Sequence, residues 1–332
     1  MAMKKAGIVG AGAWGTALAA VSRRAGLEAL IWAFEKEVAR DINTHHENRI
    51  FLPGIPLDKN IRATSKLNDL HTCDFLLLVV PAQFTRNIVE SLAKGLPEKT
   101  PLVICSKGIE IKSGKLLSEV IDEIVPTNPI LVLSGPSFAA DAARGKPAAV
   151  TIAGESKSCA KDITMALGQE TFRPYWSDDI VGAQVGGAVK NVLAIACGIA
   201  HGKGLGDSAR AALITRGLAE MIALAKAKGG RATTLMGLCG LGDTVLTCTS
   251  TLSRNFSLGK ALGEGKTMEE ILKSRKSVTE GVYTAKIVVK LAAEMGVDMP
   301  ISNAVNDILH KGDDVDEVIH DLLSRPFSEE AI

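Results

Sequence analysis

Residues 6–20 read AGIVGAGAWGTALAA: an apolar run to Val9, then Gly10, Gly12 and Gly15 in G-x-G-x-x-G spacing, then a small-residue helical pattern. In such a stretch Gly10 permits a tight turn, Gly12 lets backbone approach a pyrophosphate, and Gly15 allows a helix to pack closely on the strand. Ala13 and Trp14 open the helix, whose free N–H groups and partial positive charge suit phosphate. This strand–turn–helix predicts a dinucleotide site; glycines kept for packing alone are the competing reading. Glu35 stands twenty residues past Gly15, after a second apolar run. It is placed to accept hydrogen bonds from ribose hydroxyls, or else to be a solvated acid at a helix start. Arg40, one turn on, would instead suit a 2′-phosphate.

Outward from this stretch, short apolar runs alternate with helical patterns. Strands are expected at Lys5–Val9, Ala29–Trp32, Ile61–Thr64, Phe75–Val80, Leu102–Cys105 and Ile130–Leu133. Runs such as FLLLVV (75–80) are apolar at consecutive positions, as in parallel strands covered on both faces. Helices are expected near 14–25, 35–44, 83–94 and 114–124, which gives a βαβ rhythm and a doubly wound sheet. Ala149–Ala153 and Phe172–Tyr175 flank another helical stretch and extend that sheet. After about Ser177 only helical segments follow (178–201, 208–228, 232–237, 254–263, 267–273, 281–296, 301–311 and 315–324). The fold class is therefore α/β: an N-terminal Rossmann-like domain, 1–183, then an all-α domain, 184–332. The terminal SEEAI is expected to fray.

The 332 residues carry 38 Lys+Arg against 37 Asp+Glu, a net charge of +1, which argues against a surface built for nucleic acid or anionic membrane. At 46% hydrophobic and 23% charged, the composition is globular. Six scattered cysteines with no C-x-x-C pair suggest reduced thiols in a cytoplasm and no metal site. Lys4-Lys5 and the apolar run behind them mimic a secretory signal, but the three glycines and the following LEALIW (27–32) read as a continuing fold. The most apolar later stretch, Val185–Ala200, is shorter than the ~20 residues a membrane span needs and contains Lys190.

That stretch, VGGAVKNVLAIACGIA (185–200), has Lys190 and Asn191 as its only strongly polar side chains. A helix apolar on nearly every side is buried, and a buried ammonium is costly unless paired or functional. Gly186 and Gly187, one turn earlier, would clear space for a ligand. Burial and a neighbouring cation would lower the lysine pKa towards the range useful for acid–base work; a lysine snorkelling to a domain edge is the bland alternative. Further on, GLCGLGD (237–243) presents Asp243 after a glycine-rich turn, with Thr244 and Thr247 behind it. Ser253-Arg254-Asn255 offers a guanidinium for phosphate, although such a triplet is usually a surface loop. Ser106-Lys107-Gly108 and Ser134-Gly135-Pro136-Ser137 follow predicted strands at the carboxyl edge, where α/β ligands bind.

Taken together, GAGAWGTALA, FLP (51–53), SKGIE, SGPSFA, GGAVKN, ARAALITRGLAEM, GLGDTVLTCTSTLSRN and VTEG resemble the bacterial type of NAD(P)-dependent glycerol-3-phosphate dehydrogenase over nearly the whole chain. The resemblance implies reversible hydride transfer between NAD or NADP and C2 of dihydroxyacetone phosphate or sn-glycerol 3-phosphate, feeding glycerophospholipid synthesis. It implies Lys190 as proton donor and acceptor, Lys107 touching cofactor and substrate, and Asp243 aligning Lys190 or binding a hydroxyl. Because Asp243 would raise the Lys190 pKa while Lys107 lowers it, the net direction stays open. Arg254 and Asn255 match the phosphate grip, with Ser253 beside them and Asn191 next to the lysine. Gly135 and Ser137 would hold substrate. Trp14, Ala139, Glu280 and Arg254 match cofactor-contacting positions, together with the glycine turn and its Ala13.

Three departures stand out. Phe34 replaces the basic residue many members carry after the second strand, which weakens the case for NADP. His201 and Ser208 replace an acid and an Asn in the family signature; His201 reads as an exposed substitution. The nearest enzyme alternative is a β-hydroxyacid or 6-phosphogluconate dehydrogenase, and a nucleotide-sensing protein without chemistry is the alternative of another class. The expected partner is a small phosphate substrate, without nucleic acid or stable membrane insertion. Oligomeric state is not legible, a homodimer being the assembly considered.

Overall fold

The structure is a computed structural model and describes residues 3–273, 279–327 and 329–330. Val278 of VTEG and Ser328, Ala331 and Ile332 of the SEEAI end lie outside the described residues. Two compact units are present: Met1–Ser106 with Leu117–Ile180, and Lys107–Leu116 with Val181–Ile332. The chain thus parts at 180/181, where the sequence places 183/184. Residues 107–116 join the second unit because Ile109 and Leu116 are buried in its core.

The first unit is built on one eight-stranded sheet. Its strands are β1 (Lys5–Val9), β2 (Glu28–Trp32), β3 (Arg62–Thr64), β4 (Phe75–Leu78), β5 (Leu102–Ile104), β6 (Ile130–Ser134), β7 (Ala148–Gly154) and β8 (Phe172–Ser177). Each overlaps a run expected from the sequence. The spatial order is β3-β2-β1-β4-β5-β6-β7-β8. The chain steps outward from β1 to β3 and then returns to β4, so the order reverses at the carboxyl end of β1. That is where open α/β sheets bind ligands. All neighbours pair in parallel except β6 and β7, which are antiparallel. Hydropathy could not distinguish this, because β7 is as thoroughly buried as a parallel strand. Helices α1 (Ala13–Arg24), α2 (Lys36–His45), α3 (Thr85–Ala93), α4 (Leu117–Asp122), α5 (Ala139–Ala143) and α6 (Lys157–Leu167) complete the unit. The signal-like N-terminal run supplies β1 and α1, both deep in its core.

Among its described residues the second unit is built of helices, apart from the 107–116 segment, which closes on itself through an antiparallel bridge between Ile109 and Leu116. It contains α7 (Ile180–Gly202), α8 (Gly206–Ala227), α9 (Ala232–Leu235), α10 (Asp243–Thr249), α11 (Arg254–Gly263), α12 (Met268–Lys273), α13 (Glu280–Glu294), α14 (Pro300–Asn306) and α15 (Val315–Leu323), with wide π turns at Leu238–Gly242 and Asp307–Lys311. Helix α7 is its axis, and here the sequence reading needs correction. The helix has 23 residues and is long and apolar enough to cross a membrane, not shorter than a span. Its surroundings explain the composition: 94% of its apolar window is buried inside the protein, as expected of a core helix wrapped by others. Glycine makes one of these contacts unusually close. A Cβ on Gly198 would lie 2.2 Å from the Phe256 carbonyl oxygen, and one on Gly259 would lie 2.0 Å from that of Ile195. Helices α7 and α11 therefore meet backbone to backbone.

Candidate active site

The second unit contains the charged centre. Lys190 lies mid-way along α7, buried, and its Nζ donates to Asp243 Oδ1 at 2.5 Å and to Thr247 Oγ1 at 2.8 Å. Lys107 Nζ donates to the other carboxylate oxygen, Asp243 Oδ2. One buried carboxylate thus bridges two ammonium groups. Glycines permit this arrangement. A Cβ on Gly240 would come within 2.0 Å of the Leu235 carbonyl oxygen, and one on Gly186 within 2.5 Å of that of Cys239. The 238–242 turn can therefore press against α7 and deliver Asp243 as the first residue of α10. The space at Gly186 is taken by protein backbone, which corrects the expectation that it clears room for ligand.

Burial drives the Lys190 ammonium down; Asp243 pulls it up and Lys107 pushes it down again, leaving it at about 8 against an ordinary 10.5. Burial alone would raise the Asp243 carboxyl, but Lys107 and Lys190 together outweigh it and hold the group below its ordinary value. The lysine is therefore poised to gain or lose a proton near neutral pH, beside a carboxylate that stays ionised. Thr247 was noted in the sequence only as a follower of Asp243. Its hydroxyl donates to the Asp243 carbonyl at 2.6 Å while accepting from Lys190. The signal was its spacing: four residues past Asp243 is one helical turn, on the same face.

A second buried cluster lies one residue beyond three of the expected functional positions. Asn255 Nδ2 donates to Asn191 Oδ1 at 2.9 Å, and the Gly281 N–H donates to Asn255 Oδ1 at 3.1 Å. Neighbours of Lys190, Arg254 and Glu280 are thereby joined across α7, α11 and α13. Ser253 is the N-cap of α11, its hydroxyl accepting from the Phe256 N–H at 3.2 Å. That is a structural task beside any contact with ligand. Arg254 is exposed at the first position of α11, and Glu280 opens α13. His201 is exposed at the end of α7 with its ring 5.4 Å from that of Phe256, and Ser208 is exposed on the first turn of α8.

The first unit contains the glycine turn. Gly10 has φ +115°, and a Cβ on Gly15 would fall 1.9 Å from the Gly10 carbonyl oxygen, so turn geometry and packing demand both residues. Gly12 is different: its φ is −67° and a Cβ there would meet nothing within 4 Å. No described residue requires a glycine at that point, which leaves room for close approach by a bound group. Helix α1, opening with Ala13 and Trp14, has no side-chain cap and no acid in its first turn, so its N-terminal donors suit a phosphate. Gly135 is required by its backbone, with φ +156° and Val150 Cα 2.8 Å from a would-be Cβ. Ser137 donates to the Gly135 carbonyl at 3.3 Å, and Ala139 begins α5. Phe34 is 78% exposed, edge-on to Trp32. Glu35 and Arg40 are exposed at the start and middle of α2.

Two family models match: the N-terminus of NAD-dependent glycerol-3-phosphate dehydrogenase over residues 5–160 and its C-terminus over 179–320. A protein of Parvibaculum lavamentivorans named glycerol-3-phosphate dehydrogenase [NAD(P)+] is 55% identical over 330 residues, covering 99% of each chain. One of the same name from Rhodospirillum rubrum is 53% identical, covering 96% of this chain and 92% of its own. The crystal structure of glycerol-3-phosphate dehydrogenase from Coxiella burnetii superposes with a TM-score of 0.93 at 38% identity, over 97% of this chain and 99% of that one. With a glycine turn fit for phosphate, a buried lysine poised for proton exchange, and matches spanning both units, the chain belongs to the NAD-dependent glycerol-3-phosphate dehydrogenase family.

Proposed function

We propose that this chain interconverts dihydroxyacetone phosphate and sn-glycerol 3-phosphate with NAD(P)H. The observation that carries the mechanism is the buried Lys190, gripped by Asp243 and Thr247 with its pKa near 8. Gly10, Gly12, Ala13, Trp14 and Gly15 would hold the cofactor pyrophosphate, with Phe34, Lys107, Ala139, Arg254 and Glu280 as further contacts. When bound, the nicotinamide exchanges a hydride with C2 of the substrate. In reduction the carbonyl electron pair moves to oxygen, and Lys190 Nζ delivers a proton there. In oxidation neutral Lys190 accepts that proton from the hydroxyl. Asp243 keeps Nζ aimed and compensates the ammonium charge, while Lys107 lowers the cost of releasing the proton. Arg254 would hold the substrate phosphate, with Gly135, Ser137, Asn191, Ser253 and Asn255 as additional substrate contacts.

Exposed Phe34 offers no cation to a 2′-phosphate, which supports NAD as the preferred cofactor. The product would supply the backbone of glycerophospholipids in the cytoplasm. The working assembly is a homodimer, with no nucleic-acid partner, no stable membrane insertion and no metal. The deciding assay mixes purified protein, dihydroxyacetone phosphate and NADH, and follows cofactor oxidation; none would overturn the proposal. Lys190→Ala is expected to lose turnover by at least a thousandfold while still binding NADH, whereas a nucleotide-sensing protein would be little altered. Phe34→Arg is expected to raise kcat/KM for NADPH about tenfold, through a charge-assisted contact. No change would show that Phe34 does not face the 2′-phosphate.

A further inference from the structure

Asn48 lies beyond every motif assigned to the cofactor, yet it is buried against the glycine turn. Its Nδ2 donates to the Ala11 carbonyl at 2.8 Å and to Thr16 Oγ1 at 2.8 Å. Its Oδ1 accepts from the Phe51 N–H at 3.1 Å. Ala11 precedes Gly12 and Thr16 lies one turn into α1, so a single amide spans the turn from its entry to its helix. Asn48, Ala11 and Thr16 are all buried. The loop carrying Asn48 is anchored in its turn: Arg49 pairs with the buried Asp41 carboxylate of α2, and the Leu52 N–H donates to the Asn48 carbonyl at 2.8 Å.

Peptide planarity gives this clasp a consequence. Across a trans peptide the C=O of one residue and the N–H of the next point in opposite directions, and no cis bond occurs among the described residues. With the Ala11 carbonyl drawn towards Asn48, the Gly12 N–H is turned away from it, at a residue whose would-be Cβ meets no described residue within 4 Å. We infer that Asn48 is a positioning residue: by clasping Ala11 and Thr16 it fixes the direction of the Gly12 N–H that meets the cofactor phosphate. The inference rests on the reading of this turn as the cofactor site. Asn48→Asp would set a carboxylate against the Ala11 carbonyl, and relief of that repulsion rotates the peptide and draws the Gly12 N–H inward. Thr16→Val removes only one of the two acceptors and keeps the side-chain volume.

The experiment titrates NADH into the purified full chain and both variants by fluorescence, alongside steady-state kinetics and thermal melting. Asn48→Asp is expected to raise the NADH Kd and KM at least thirtyfold. It should leave kcat at saturating NADH within threefold and the dihydroxyacetone phosphate KM unchanged. Thr16→Val is expected to raise the NADH Kd three- to tenfold with Tm within a few degrees of wild type. Unchanged NADH affinity in Thr16→Val and in any folded Asn48→Asp would overturn the inference. So would a fall in kcat with KM unmoved. If the wild-type chain itself fails to bind NADH, the cofactor reading fails, a result separate from wild-type binding that the variants match.

Discussion

Replacing Asp243 by Asn tests the proposed chemistry at its most sensitive point. Asp243 is the carboxylate shared by Lys190 and Lys107, and the amide keeps its shape while removing its charge. In the native site the fall of the Lys190 pKa from 10.5 to about 8 makes the ammonium about 3 kcal/mol less favourable than in water. Removing one partner from a buried ion pair costs about 3–5 kcal/mol. Lys190 escapes that cost by releasing its proton, and at about 1.4 kcal/mol per pKa unit the midpoint should fall to about 6 or lower. The sign follows directly: reduction requires the ammonium, so at pH 7 its protonated fraction drops from about nine-tenths to about one-tenth or less. The kcat for dihydroxyacetone phosphate reduction should then fall about tenfold from protonation alone and recover towards pH 5.5. Lys107→Met, which removes a cation, should move the midpoint upward. The assay is kcat against pH in both directions at saturating cofactor. An Asp243→Asn midpoint that stays near 8 or rises would refute the electrostatic account.

Three further outcomes follow from the packing. Gly12→Ala should leave stability within about 0.5 kcal/mol, because its backbone is ordinary and its would-be Cβ meets nothing, yet weaken NADH binding more than tenfold; urea unfolding and NADH titration check the two halves. Gly259→Ala should cost about 3 kcal/mol or more, since its Cβ would sit 2.0 Å from the Ile195 carbonyl oxygen and force α7 and α11 apart; wild-type-like urea denaturation would contradict the close contact. Burial raises the Glu220 carboxyl to about 7, against the Ile301 and Ser302 N–H groups and the Ser302 hydroxyl that it accepts from. Between an unfolded value of 4.5 and about 7 the folded chain binds the extra proton, so stability falls as pH rises through that window, by up to about 3 kcal/mol. Glu220→Gln should abolish this component, and equal slopes from pH 5 to 7.5 in both proteins would exclude it.

Much of the first unit was legible because consecutive apolar residues fit a strand covered on both faces, whatever lies far away in the chain. The antiparallel pairing of β7 was not legible: strand direction depends on the path between elements, not on side-chain pattern. The helical turns at 238–249 went unmarked as helix because LCGLG lacks an amphipathic period, and the close contacts at Gly240 and Gly186 account for those glycines. Asn48 was invisible as a functional residue, since nothing local to HHENRIF announces a bond to Ala11.

The sequence by itself determined the βαβ framework, the glycine turn, the helical second half and the presence of one lysine in an apolar helix, since each is a property of neighbours within a few residues. Tertiary structure alone decided what that lysine is. Its proton affinity is the balance of burial, a carboxylate 53 residues away and an ammonium 83 residues away. Such a balance exists only once the fold has removed water and brought the three charges together.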